Sequence, residues 1–204
     1  MKQYPEIASS LGQSFREFPA YVFDKLDGSN LRFEWSRRQG WNKFGTRSRL
    51  FDESDEVFGK AIPLFHSVLA DDLERIARKE RWDNITAYAE FWGENSFAGL
   101  HSSDDEKQLT LFDVNVYKKG FLGPKEFLHL FQDLPIPAFL GKVNWTRHYV
   151  SLIRQGEIEG ITFEGVVGKG GEGHKIIMAK AKTQAWVDKV KAIYNEHLPQ
   201  GLDL

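Results

Sequence analysis

Apolar and polar residues alternate through "YVFDKLDGSNLRFEW", Tyr21 to Trp35, with one interruption at Asp27-Gly28. A period of two marks half-buried strands, and Asp-Gly is a turn pair. The pattern predicts strands at about 20–27, 29–36 and 41–46, the last two joined by the hairpin "RRQGW". Upstream, "PEIASSLGQSFREF" spaces Ile7, Leu11 and Phe15 at helical intervals, which predicts a short helix. "GKAIPLFHSVLADDLERIARKERW" predicts a longer one, burying Leu69, Leu73 and Ile76. "NITAYAEFWGE" and "QLTLFDVNVY" read as strands joined by the polar loop "HSSDDEK". "GPKEFLHLFQDL" is a helix with Pro124 in its first turn, where a missing N–H costs nothing. A helix at about 145–155 begins near Asn144 and ends before Gly156. "ITFEGVVGK" and "HKIIMAKAK" are strands around the turn "GGEG". The last helix, about 183–197, takes Thr183 as N-cap and sets Trp186, Val190, Ile193 and Tyr194 on one stripe.

Hairpins outnumber βαβ units in this order. The expected class is α+β, mainly antiparallel sheets with flanking helices. No Pro/Gly/Ser-rich linker divides the 204 residues, so a single domain over 1–204 is expected. Hydrophobic residues make up 41% of the chain, enough for a core without staples. The chain has no cysteine, which excludes disulfides and thiolate chemistry and fits a reducing compartment. No apolar run reaches the length of a membrane span and the N-terminus does not resemble a signal peptide, so a cytoplasmic protein without a membrane partner is expected. His66, His101, His129, His148, His174 and His197 show no paired metal spacing.

The net charge of −2 hides a split. Residues 25–50 carry seven Lys/Arg against two acids, and residues 165–191 carry six lysines against two acids. Residues 51–107 carry fourteen acids against six bases. A fold that joins the two basic segments makes a basic face that the overall charge conceals.

Lys25 lies in the apolar run just before the turn. In a strand it shares a face with Asp27, while Gly28 lets the backbone turn sharply and approach a ligand closely. An amine, a carboxylate and backbone N–H groups then surround one point, where a phosphate can sit. On this stretch alone an ordinary surface turn is the favoured reading, because Asp-Gly turns are common.

The rest of the chain changes that reading. "KLDGSN" resembles the Lys-x-Asp-Gly nucleophile motif of the covalent nucleotidyltransferases: ATP-dependent DNA ligases, RNA ligases and capping enzymes. "GTRS" (45–48) is similar to the arginine motif that follows, which makes Arg47 its arginine. "AEFWG" (89–93) resembles the Gly-Glu-Leu-Phe-Gly element of RNA ligases, with Glu90 as its acid and alanine for the first glycine. "LFDV" (111–114) is similar to the aromatic-Asp element, "EGVVGK" (164–169) to Glu-Gly-Val-Val-x-Lys, and "KAK" (180–182) to the closing Lys-x-Lys. Each is weak alone; six in order over residues 25–182 are not. Asn30 and "AEFWG" look most like the ATP-using RNA ligases of the phage and RNA-editing type.

The resemblance implies a nucleotidyltransferase fold, ATP and Mg²⁺ (or Mn²⁺) as cofactors, and a role for each matched residue. Lys25 is the nucleophile. Lys180 and Lys182 bind the phosphates, and Glu164 carries the metal. Glu90 holds the ribose, Asp24 reads the adenine amine, and Phe112 stacks on the base with Val166 or Val167 opposite. Asn30 and Arg47 contact ribose or nucleic-acid phosphate, and Lys43 and Lys169 join Arg47 on the RNA. Trp186 reads as core rather than as an RNA-facing ring. The implied reaction forms lysyl-AMP, passes AMP to an RNA 5′-phosphate and seals it to a 3′-hydroxyl. A free lysine has a pKa of about 10.4, so it reacts only if burial and neighbouring positive charge lower that value.

Most members carry a further OB-fold or helical domain after Lys-x-Lys. Here 22 residues follow Lys182, so no separate domain is expected, and complete ligation calls either for an accessory protein supplying RNA binding or for a minimal ligase. A DNA ligase, a guanylyltransferase, or a nucleotide- or RNA-binding module without full ligase activity are the competing readings.

Overall fold

The computed structural model describes residues 2–10, 15–94 and 104–194. Eleven strands among them form two sheets. The strands are β1 (Ala8–Ser9), β2 (Phe18–Lys25), β3 (Ser29–Ser36), β4 (Gly40–Thr46), β5 (Leu50–Phe51), β6 (Asn84–Trp92), β7 (Gln108–Val116), β8 (Gly120–Phe121), β9 (Phe139–Trp145), β10 (Gly165–Gly170) and β11 (Ile177–Lys182). The first sheet runs β1-β11-β10-β2-β9 and the second β5-β4-β3-β6-β7-β8. All pairings are antiparallel except β1 with β11. The helices are α1 (Ala61–Phe65), α2 (Asp71–Lys79), α3 (Pro124–Phe131), α4 (Arg147–Gln155) and α5 (Gln184–Tyr194), with a π-helical turn (His66–Ala70) between α1 and α2. The expected α+β class with flanking helices is what the chain adopts. No described helix is long and apolar enough to cross a membrane.

Alternation explains the layers. In the second sheet Leu31, Phe33, Trp35, Ile85, Ala87 and Ala89 are buried on one face, against α1, the π turn, α2 and α3. Their neighbours Asn30, Arg32, Thr86, Tyr88 and Glu90 point the other way. In the first sheet Ala20, Val22, Val166 and Ala181 pack on Val150 and Ile153 of α4. The two remaining faces contribute the walls of one pocket.

One bulge positions a site residue. Between β6 and β7 the register shifts after Tyr88↔Asp113 to Ala89↔Leu111. Leu109 and Leu111 face the core before the shift, Val114 and Val116 after it. Phe112 is the extra residue, and a bulge of this kind re-aims a side chain; its ring reaches the pocket.

The helix expected from Ile7, Leu11 and Phe15 is absent over residues 2–9, and Leu11 lies outside the described residues. Residues 2–7 are instead an irregular strap leading into β1, which pairs with β11 at Ala8↔Ala179 and Ser9↔Lys180. Tyr4 anchors the strap against Tyr88, Phe112 and Phe121, with ring centroids 5.0, 5.1 and 5.5 Å away. The apolar spacing served this anchoring, not a helix. Helix α5 starts on its expected cap, since Thr183 Oγ1 accepts a hydrogen bond from Trp186 N (3.2 Å). Its buried stripe is Trp186, Val187 and Val190, while Ile193 is exposed. Residues 195–197 of the expected helix, like His101 and His197, lie outside the described residues.

Candidate active site

Strand β2 ends at Lys25, and β3 starts four residues later at Ser29. Gly28 makes so tight a link possible: a Cβ there would lie 2.5 Å from Phe91 O. The close approach is to β6, and Gly28 also lines the pocket.

Lys25, Gly165 and Lys182 lie side by side on β2, β10 and β11. Residues paired across a sheet share a face, and the middle one has no side chain, so two amines flank an open gap. Gly165 has φ +149°, and a Cβ on it would come 2.1 Å from Ala181 O. Glu164, just before β10, closes the gap. Its Oε2 accepts from Lys25 Nζ at 2.8 Å and its Oε1 lies 3.3 Å from Lys182 Nζ. The next row is Phe23, Val167 and Lys180, also facing the pocket.

Asn30 and Glu90 stand opposite each other on β3 and β6 and form the second wall, with Phe112 beyond them. The cavity measures about 350 Å³, within the usual range for small-ligand pockets. The two basic segments do meet in it: Lys25 and Arg47 come from the first, Lys169, Lys180 and Lys182 from the second. Five carboxylates, Glu6, Asp24, Asp27, Glu90 and Glu164, meet them there.

Charge and burial tune these groups together. Burial pushes Glu90 up to about 7; Lys25 opposes this, and Glu164 and Asp27 add to it. Burial and the Glu164 charge raise Asp27 to about 6, against the Trp186 hydrogen bond and the lysines. Burial lowers Lys182, helped by Lys25 and Lys180, although Glu164 pulls the other way. For Lys25 burial also acts downward, but Glu164, Glu90 and Asp27 outweigh it and hold its pKa above the ordinary lysine value. That reverses the expected lowering. Glu164, hydrogen-bonded to the amine at 2.8 Å, leads the opposing charges, so the resting amine is an ammonium ion.

Other expected residues are placed differently. Asp24 borders the pocket, but its carboxylate accepts from Thr162 N (3.0 Å) and Thr162 Oγ1 (2.6 Å). Val166 faces α4, so the valine at the pocket is Val167. Lys169 is not on an RNA-facing surface: it is buried, donating to Phe112 O at 2.6 Å and Asp113 Oδ2 at 2.9 Å. Asp113 Oδ2 also accepts from Tyr4 OH at 2.8 Å. Lys43 is on β4, away from the pocket, paired with Glu34 at 3.0 Å. Arg47 lies at the pocket rim, 3.5 Å from Glu6.

Sequence reasoning missed Tyr4, Thr162 and the pocket-lining position of Trp186. Trp186 is core, as expected, yet it also lines the pocket. Among the described residues no cluster of three or more His, Cys, Asp or Glu could hold a metal by itself. Magnesium does not need one: it keeps several waters and takes one or two carboxylates besides substrate phosphates. Glu164, beside two phosphate-binding candidates, fits that kind of site.

No family model and no curated protein matches the sequence. Solved structures do. An archaeal ATP-dependent RNA ligase superposes with a TM-score of 0.67 at 18% identity, over 95% of this chain and 52% of that one. That structure is of form 2; a structure of form 1 gives 0.66 at 19% identity, over 98% and 54%. A lysine-to-alanine variant of the Naegleria gruberi RNA ligase, solved with ATP and Mn, gives 0.63 at 16% identity, over 85% and 52%. Over the matched part, the chain shares the fold of these RNA ligases. The chain spans about half the length of these ligases.

Proposed function

We propose that the chain is the nucleotidyltransferase domain of an ATP-dependent RNA ligase that works through a lysyl-AMP intermediate. One observation carries this reading: Lys25, Glu164 and Lys182 converge within hydrogen-bonding or ion-pair distance although they are far apart in sequence. They come from three separate motifs that resemble the family, and they meet in a pocket also lined by Glu90 and Phe112.

The residues suit the chemistry. Phe112 and Val167 offer apolar faces for a base, and Glu90 with Asn30 offers polar groups for a ribose. Lys180 and Lys182 hold phosphate oxygens and offset charge on departing pyrophosphate. Glu164 fits magnesium, which when bound supplies positive charge beside the phosphates. Lys25 must release its ammonium proton to solvent and leave Glu164. Its nitrogen then forms a bond to the α-phosphorus while the bond from that phosphorus to pyrophosphate breaks. An RNA 5′-phosphate oxygen next displaces Lys25, and a 3′-hydroxyl displaces AMP. Arg47, at the rim, is the basic residue placed to meet RNA.

α-Labelled ATP and GTP, followed by nicked RNA and nicked DNA, test the reading. Label from ATP that moves to the 5′-end of RNA supports it. Label from GTP alone favours capping chemistry, and transfer to DNA alone favours a DNA ligase. Asn30 facing Glu90 favours RNA, because an asparagine at this place is what resembles the RNA-ligase branch.

A further inference from the structure

Trp186 belongs to no motif that the proposed function uses, yet it touches two that do. Its indole Nε1 donates to Asp27 Oδ2 at 3.2 Å, a contact between residues 159 apart in sequence. Lys182 Nζ lies 3.8 Å from the centroid of its ring. The side chain is buried and lines the pocket. It thus stands between the acid two residues after the nucleophile and the amine on the far side of Gly165.

Its backbone is fixed to the same place. Thr183 caps α5 through Trp186 N. The same residue donates its hydroxyl to Phe163 O (2.7 Å) and its N–H to Glu164 O (2.9 Å). Helix α5 otherwise packs through a small cluster of its own, with Val187 and Val190 against Phe163 and Tyr194. A smaller aliphatic side chain such as leucine would keep that cluster apolar. It would not donate to Asp27 or present a ring to Lys182.

We infer that Trp186 is a positioning residue for lysine adenylylation, holding Asp27 and Lys182 in place around Lys25 through its indole N–H and ring face. This rests on the proposed reaction. A hydrogen bond to a charged group contributes about 1.5–3 kcal/mol, or roughly ten- to a hundredfold in rate where it acts in the transition state. The two contacts can be separated. Trp186→Phe keeps a ring beside Lys182 and removes the donor to Asp27. Trp186→Leu removes both.

The test is single-turnover labelling with α-labelled ATP and Mg²⁺ at several ATP concentrations, on the full chain, with thermal unfolding of each variant. Trp186→Phe is expected to slow labelling about tenfold or more at saturating ATP, with half-saturation near that of the wild type. Trp186→Leu is expected also to raise the half-saturating ATP concentration, because Lys182 binds phosphate. If Trp186→Leu does not fold, Trp186→Phe decides alone. A folded Trp186→Phe that labels at the wild-type rate overturns the inference and leaves the reaction standing. A wild-type protein that never labels overturns the reaction itself, before any variant is compared.

Discussion

Glu90 and Lys25 show how the resting site is balanced. Lys25 is held as an ammonium ion by carboxylates, and Glu90 is a carboxyl whose burial lifts it to about 7. A carboxyl raised from its ordinary 4.5 contributes stability that is fully present below 4.5 and lost as the pH rises through 7. Glu90→Gln keeps the uncharged shape at every pH. The variant is therefore expected to be more stable than wild type at pH 8 and to lose that advantage by pH 4.5, as read by urea unfolding. An unchanged difference across that range would contradict the burial of Glu90's charge. Among residues, the pocket positions of Lys25 and Glu90 were legible, because motif and alternation agree on their face; Asp27 lines the pocket from the turn, since β2 ends at Lys25. Val166 was not. Glu164 stands before β10 and Gly165 has a positive φ, so counting by twos from Glu164 selects the wrong valine. Lys169 misled for another reason: charge suggests solvent, while Asp113 and the Phe112 carbonyl sit inside.

Strand β10 carries glycines with two different duties. Gly165 keeps the gap between Lys25 and Lys182 open, and its Cβ would strike Ala181 O. Gly168 faces the other way, where a Cβ would lie 2.4 Å from Trp145 Cε3. Gly168→Ala is expected to cost about 1–3 kcal/mol of stability through overpacking, with labelling retained at temperatures where it stays folded. Gly165→Ala is expected to lose stability to a similar extent through backbone strain, about 1–3 kcal/mol, and to lose labelling as well. Unfolding curves and labelling of the same samples separate the two. Elements with strong alternation, β3, β4 and β6, were legible almost to their ends. Strand β9 was not: it pairs only with β2, contains Gly141, and exposes much of its length, so no buried face marks it. The bulge on β7 left a signal that went unread, in the change of apolar parity between Leu111 and Val114.

At the level of the folded chain, the pocket is built where both sheets turn their polar faces together, and the strap from Lys2 to Ile7 closes one side. The overall charge of −2 gives no hint of this, because the pocket sets five acids against five bases. The chain corresponds to about half of the RNA ligases that share its fold. In the proposed reaction RNA transfer and sealing would engage a polyanion, whereas adenylylation would be confined to the pocket. Raising salt from 50 to 200 mM is therefore expected to depress transfer to RNA more steeply than labelling by ATP. Equal salt dependence would argue against an ionic RNA surface at the rim around Arg47. The most direct measurement asks whether Lys25 becomes covalently adenylylated. Protein freed of bound nucleotide is incubated with α-labelled ATP and Mg²⁺, denatured, and digested to locate the adduct. We expect acid-labile, base-stable label on the peptide containing Lys25, none in Lys25→Ala, and release of the label by added pyrophosphate. Absence of label on folded wild-type protein, or label that persists in Lys25→Ala, would contradict the role assigned to Lys25.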